Sequence, residues 1–249
     1  MQTFIGISGK RKSGKDFVAK ELNEEFLKIG VQCVIRQISY EIKREFSLLK
    51  NLNFGELLSD SKYKENYRLE MIEWAEDYRA KVPHYFMKKL MDNLPIGCPK
   101  LVIISDLRRK GDLDFLSKHR REIFLVRIES KSSVRQKRGF IFTSGIDDAA
   151  SECDLDEFSE WNLTPLINDN KPDEKTIVDT LFQQLMRAGH LFSNYSTNQH
   201  STERHHHTVP PKLIWAIDLK SRQSHGVNSL NGLQLRLLVT ALRHLSINI

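Results

Sequence analysis

Gly9, Gly14 and Lys15 stand in the stretch GKRKSGKD, residues 9–16, at the spacing of a phosphate-binding loop. The usual pattern, G-x-x-x-x-G-K followed by Ser or Thr, lets backbone N–H groups cradle phosphate oxygens while the hydroxyl reaches Mg2+. Asp16 holds that last position here. A carboxylate can hold Mg2+ directly or through water, and it equally suits the positive end of a helix. The loop interior carries Lys10, Arg11 and Lys12, with Ser13 before the second glycine. One nucleotide rarely needs so much positive charge, but a second phosphorylated ligand nearby would. The plain alternative is a solvated basic turn.

Further bases fall near the ends of apolar runs. SDLRR, residues 105–109, closes such a run with Asp106, Arg108 and Arg109. Ligands of parallel sheets sit beyond the C-terminal strand ends, so the acid there suits Mg2+ or a hydroxyl and the arginines suit anions. Arg135 and Arg138 are three apart and share a helical face, and FIFTSG follows them. Arginines on a flap that closes over a transferring phosphoryl group are what phosphoryl transfer asks of a protein. Arg127 ends another apolar run, where it faces a ligand or an acid rather than being buried unpaired. Lys64, Arg68 and Arg79 flank an aromatic stripe containing Trp74, and Lys43 lies in the preceding segment. By spacing alone the stripe is core and only its charged edge is functional.

These residues need a scaffold. TFIGIS (3–8), VQCVIRQI (31–38), KLVIISD (100–106) and EIFLVRIE (122–129) read as strands. NLTPLIND (162–169) is a weaker fifth, because Pro165 suits only an edge strand or a strand start. Between them lie helical patterns: one opening at Lys15, one over 39–51 with Ser39 as N-cap, one over 61–80, one from Pro83 to Asn93 and one over 172–188. Alternation of this kind predicts an α/β fold with a parallel sheet flanked by helices.

The chain has 249 residues, of which 40% are hydrophobic and 28% charged, as in one ordinary globular domain with an appendage. No apolar run of about 18 residues exists, so no membrane partner is expected. Cys33, Cys98 and Cys153 are an odd, widely spaced set, which argues against a disulfide framework and against zinc. Residues 189–249 are polar, hold seven of the nine histidines, and carry six basic and two acidic side chains, so most of the net +6 belongs to them. They read as an extension of unknown structure, with an apolar helix over 230–245. His205–His207 lack an acidic or cysteine partner nearby, which disfavours a metal site. Aromatic and basic residues do not interleave as in nucleic-acid-binding modules, so no nucleic-acid partner is expected.

SGKRKSGKDF, KYKENYRLEMIEWAEDYRA, VIISDLRR and RQKRGFIFTSGIDDAASECDLDEF, in that order, resemble the animal-type phosphomevalonate kinases over about residues 3–188. The resemblance implies a P-loop, nucleoside-monophosphate-kinase-like fold with a parallel five-stranded sheet and an arginine-bearing lid. It implies transfer of the γ-phosphoryl group of Mg·ATP to (R)-5-phosphomevalonate, giving (R)-5-diphosphomevalonate and ADP in the mevalonate route to isoprenoids and sterols. Asp16 is then a family feature. Gly9 and Lys10–Asp16 would hold ATP, with Lys15 on the β- and γ-phosphates and Lys10 and Lys12 neutralising the moving charge. Lys43, Arg68, Arg79, Arg108 and Arg109 would bind the acceptor, Arg108 and Arg109 also serving catalysis. Arg127, Arg135 and Arg138 would serve ATP or the lid, Asn168 the adenine side, and Asp16 and Asp106 Mg2+. A monomer of residues 1–188 as the kinase domain is expected. Some members end in a peroxisomal-type tripeptide; this chain ends in Ser-Ile-Asn-Ile, so a cytosolic location is expected. The rival readings are a P-loop kinase for another small anionic metabolite and a non-catalytic homologue.

Overall fold

The five strand runs read above are built, among the described residues, into a single sheet. The computed structural model describes residues 2–59, 62–95, 97, 101–119, 122–169 and 171–188. These all fall in the unit Met1–His200; the unit Ser201–Ile249, with His205–His207 and the expected 230–245 helix, lies outside the described residues, as does Cys98.

The strands are β1 (Thr3–Ser8), β2 (Cys33–Arg36), β3 (Leu101–Leu107), β4 (Glu122–Glu129) and β5 (Leu166–Ile167). They form one sheet in the order β2-β3-β1-β4-β5, with every pairing parallel. The helices are α1 (Lys15–Lys28), α2 (Ile38–Lys50), α3 (Phe54–Leu58), α4 (Lys62–Lys81), α5 (Tyr85–Asp92), α6 (Lys110–His119), α7 (Ser132–Lys137), α8 (Ala150–Cys153) and α9 (Lys171–Ala188). This is the parallel five-stranded sheet flanked by helices expected above. No described helix is long and apolar enough to cross a membrane.

Both sheet faces are covered, which is why β1 and β3 are buried at every position. On one face Ile5, Ile7, Ile103 and Val126 pack with Val18, Leu22 and Phe26 of α1 and Leu181 and Leu185 of α9. On the other, Phe4, Val102 and Ile104 meet Ile38 of α2, Phe86 and Leu90 of α5, and Leu113 and Leu116 of α6. The aromatic stripe of α4 is core, as its spacing predicts. Met71 and Ala75 are buried, and Trp74 packs on both Phe46 and Phe86, with ring centroids 5.5 and 5.6 Å away.

Three boundaries differ from expectation. The fifth strand is only Leu166–Ile167; it starts directly after Pro165 and lies at the sheet edge, where a missing N–H does least harm. Pro83 does not open α5, which starts at Tyr85 behind His84 in a left-handed conformation (φ 62°). Ser39 is not the cap of α2. That helix starts at Ile38 with Gln37 before it, and Asp106 of β3 supplies the cap, its Oδ1 accepting from Ile38 N at 2.7 Å and its Oδ2 from Ser39 N at 2.9 Å. A cap donated by another strand has no signal in local sequence.

Candidate functional site

The sheet order brings the C-terminal ends of β1 and β3 side by side, and the loop after β1 lies over that edge. Two close approaches fix the loop. A Cβ on Gly9 would sit 2.5 Å from the carbonyl oxygen of Ile128, and one on Gly14 (φ 91°) would sit 2.3 Å from Asn168 Nδ2. Only glycine fits at either place. Behind the loop, the Ser13 carbonyl accepts from Asn168 Nδ2 at 3.0 Å and from Arg138 Nη1 at 3.2 Å, while Arg138 Nη2 donates to Asn168 Oδ1 at 2.9 Å. Arg135 Nε donates to the Arg11 carbonyl at 2.9 Å, and its guanidinium lies 3.9 Å from the centroid of Phe140. Arg135 and Arg138 thus brace the loop backbone.

Lys15 opens α1 and is buried. Burial, then the nearby Arg108 charge, lowers its pKa from 10.5 to about 8, against the opposing pull of Asp16 and Asp106. Asp16 lies beside it, with Oδ2 at 3.9 Å from Lys15 Nζ, and is 63% exposed. Asp16 Oδ1 accepts from Gln37 Nε2 at 3.1 Å and from Ser105 Oγ at 3.4 Å.

A cleft of about 1020 Å³ runs from Lys12, Gly14, Lys15 and Asp16 to Lys43, Lys64, Arg68, Arg79, Arg108 and Arg109, with Arg138 and Ile141 along one side. A smaller cavity of about 450 Å³ lies behind the loop, between Lys10, Ser13, Arg127, Lys131, Ile167 and Asp169. Lys43 has a lowered pKa from burial and from the charge of Lys64, itself buried. An opposite charge brought into the cleft would favour the ammonium form of Lys43 again.

Most of the other bases are held by acids whose role the sequence reading missed. Lys10 Nζ lies 2.5 Å from Asp156 Oδ2, and Arg11 Nη2 donates to Asp147 Oδ2 at 2.9 Å. Arg127 donates to Asp156 Oδ1 and to the Leu155 carbonyl, each at 2.8 Å. Arg108 pairs with Glu152, Arg109 with Glu76 at 2.7 Å, Arg79 with Asp112 at 3.0 Å, and Arg68 with Glu65 at 2.7 Å. Three of these acids, Asp147, Glu152 and Asp156, come from the acid-rich stretch GIDDAASECDLDEF, so the available signal was charge opposite in sign to the loop. The pairing is incomplete. Arg11 Nε, Arg79 Nε, Arg109 Nη1 and Ser13 Oγ are buried without a hydrogen-bond partner among the described residues. Asp112 Oδ2 and Asp147 Oδ1 are in the same position, so both donors and acceptors remain for a polar ligand or water.

A family model described as phosphomevalonate kinase matches residues 7–122. The phosphomevalonate kinase of Drosophila melanogaster is 36% identical over 188 residues, covering 74% of this chain and 97% of the fly protein. The chain belongs to the phosphomevalonate kinase family. As a member of the phosphomevalonate kinase family it is a kinase, and the phosphate-binding loop lies within the matched segment. Among solved structures, a shikimate kinase from Bacteroides thetaiotaomicron is 14% identical with a TM-score of 0.41, covering 74% of this chain and 98% of that one. A gluconokinase from Sinorhizobium meliloti 1021 is 15% identical with a TM-score of 0.40, covering 80% and 98%. Both are loose superpositions. The described part of this family member joins the loop, Asp106, the bases of α2 and α4 and the two arginines after β3 around one cleft, and places Arg127 and Asn168 by the smaller cavity and the loop's back.

Proposed function

We propose that the protein transfers the γ-phosphoryl group of ATP to the phosphate of (R)-5-phosphomevalonate, giving (R)-5-diphosphomevalonate and ADP in the mevalonate pathway, with residues 1–188 as the catalytic unit. The observation that carries this reading is the continuous basic cleft from the phosphate loop to Lys43, Lys64, Arg68, Arg79, Arg108 and Arg109. Two polyanions must meet for this reaction, and fixed positive charge is what offsets their repulsion.

In this mechanism the loop N–H groups and the start of α1 hold the β- and γ-phosphates. Lys15 keeps its ammonium against the phosphoryl group as it moves. Lys43, Lys64, Arg68 and Arg79 orient the acceptor from the far side of the cleft, and Arg108 and Arg109 sit where the two ligands converge. The nucleophile is a phosphate oxygen of the acceptor, so no covalent intermediate and no side-chain base is required. The segment after Arg138, with Ile141 77% exposed and Phe142 60% exposed, closes over the ligands as a lid and excludes water. The hard oxygen donors of Asp16, with Ser105 Oγ beside it, fit Mg2+. When bound, Mg2+ neutralises phosphate charge. Asp16 would contribute the exposed carboxylate, and Asp106, whose oxygens each accept one N–H at the start of α2, would keep further lone pairs for the cleft side.

An ADP-release assay with phosphomevalonate and Mg·ATP is expected to show turnover well above an ATP-only blank. Protein that binds ATP yet gives no such turnover would sink the reading.

The lowered pKa of Lys15 gives a second expectation. Bound phosphates stabilise its ammonium and raise that pKa again, so ATP binding above pH 8 takes up a proton. Affinity is flat in this respect below pH 8 and falls above it, by up to about tenfold per pH unit. Calorimetry in buffers of different ionisation heat reads the proton directly. Lys15→Arg, whose guanidinium stays charged, removes the slope. A parent affinity that is constant from pH 8 to 10 contradicts the assignment.

A further inference from the structure

Glu152 is a carboxylate in a cleft made for anions. Its side chain is 7% exposed, and it lines the cleft together with Arg11 and Arg108. A negative charge there repels phosphate, so any benefit must come through its partners. Those partners belong to two different parts of the site. Glu152 Oε2 accepts the backbone N–H of Arg11 at 3.0 Å, inside the phosphate loop. Glu152 Oε1 accepts from Arg108 Nη1, just beyond the end of β3, and the neighbouring Ser151 carbonyl lies 3.4 Å from the same nitrogen. The short helix α8 that carries Glu152 is fastened on both sides. Asp147 holds the Arg11 side chain, and Asp156 holds Lys10 and Arg127.

We propose that Glu152 is a positioning residue that clamps the phosphate loop to Arg108 and so sets the distance between donor and acceptor phosphates. It touches neither ligand. It fixes the one separation on which in-line transfer depends, where a displacement of about 1 Å costs on the order of 10²-fold in rate. The inference rests on the reading of this cleft as the phosphoryl-transfer site.

The test compares Glu152→Gln, Arg108→Ala and the double variant in the full chain. Glu152→Gln keeps the size of the side chain but loses the charge that orients Arg108. Its kcat is expected to fall about 10²-fold, with KM for ATP and for phosphomevalonate within about threefold of the parent. Adding Glu152→Gln to Arg108→Ala is expected to cost no more than about twofold further, because the clamp acts through Arg108. Additive losses, an effect confined to KM, or unchanged kcat in a folded variant would each overturn the proposal. Should Glu152→Gln fail to fold, Glu152→Asp keeps the charge but is one methylene too short to reach both partners, and the same outcomes apply to it. A parent without turnover removes the reading of the cleft but leaves the clamp measurable. The Arg11 amide is then expected to exchange its hydrogen at least about tenfold faster in both single variants, and unchanged exchange rejects the clamp.

Discussion

Replacing Lys15 with methionine is expected to remove phosphoryl transfer and leave the fold at least as stable as the parent. The ammonium is the only one of the loop's bases that is fully buried at the head of α1, so its loss cannot be made good by a neighbour sliding inward. Removing one preorganised charge of this kind costs on the order of 10³-fold in kcat. Stability moves the other way. Desolvation dominates the lowering of the Lys15 pKa from 10.5 to about 8, a cost of roughly 3 kcal/mol while the group stays charged. Methionine fills much of the same space without that cost. The sign with pH follows. Below pH 8 the group is protonated in both the folded and unfolded parent, and the cost is present in full. Between 8 and 10.5 the folded form binds fewer protons, so parent stability rises with pH. The advantage of Lys15→Met in unfolding midpoint should therefore shrink across that window. Turnover near the parent rate would remove Lys15 from the mechanism, and a lower midpoint at pH 7 would contradict the desolvation argument.

The second large effect is expected at Gly14. Its φ of 91° is strained for any side chain, and an alanine methyl would sit 2.3 Å from Asn168 Nδ2. Asn168 is fully buried and cannot swing away without giving up its bond to the Ser13 carbonyl and its bond from Arg138. The loop must move instead, and movement of about 1 Å in a phosphate cradle costs about 10²-fold in kcat/KM. Strain and the lost bonds together are worth about 2–3 kcal/mol of folding stability. Steady-state kinetics and denaturant unfolding of Gly14→Ala read both. Kinetics within twofold of the parent would show that Asn168 is not the fixed wall described above.

The large elements were legible because their signals are local. An apolar run buried on both faces, such as Val102–Ile104, reads as an interior parallel strand wherever it lies. The loop glycines read as a phosphate cradle because strand, turn and helix follow one another along the chain. The stripe through Met71, Trp74 and Ala75 reads as core from its helical spacing. Short helices were another matter. α3 and α8 span only Phe54–Leu58 and Ala150–Cys153, too few turns to leave a periodic pattern.

The basic residues show the limit most clearly. The sequence by itself determined their number, their placement near strand ends, and hence an anion-binding protein with a phosphate loop. It did not determine which of them are free to meet a ligand. Lys10, Arg11, Arg108 and Arg127 each close on an acid more than 25 residues away along the chain. Asp106 shows the same limit from the other side: an acid that reads as a metal ligand also caps a helix far earlier in the chain, accepting from Ile38 N and Ser39 N. Pairing over such separations is set by the order of strands in the sheet and the path of the chain above it. Only the tertiary structure decides that, because Coulomb and hydrogen-bond energies depend on distance in space and not on distance along the chain.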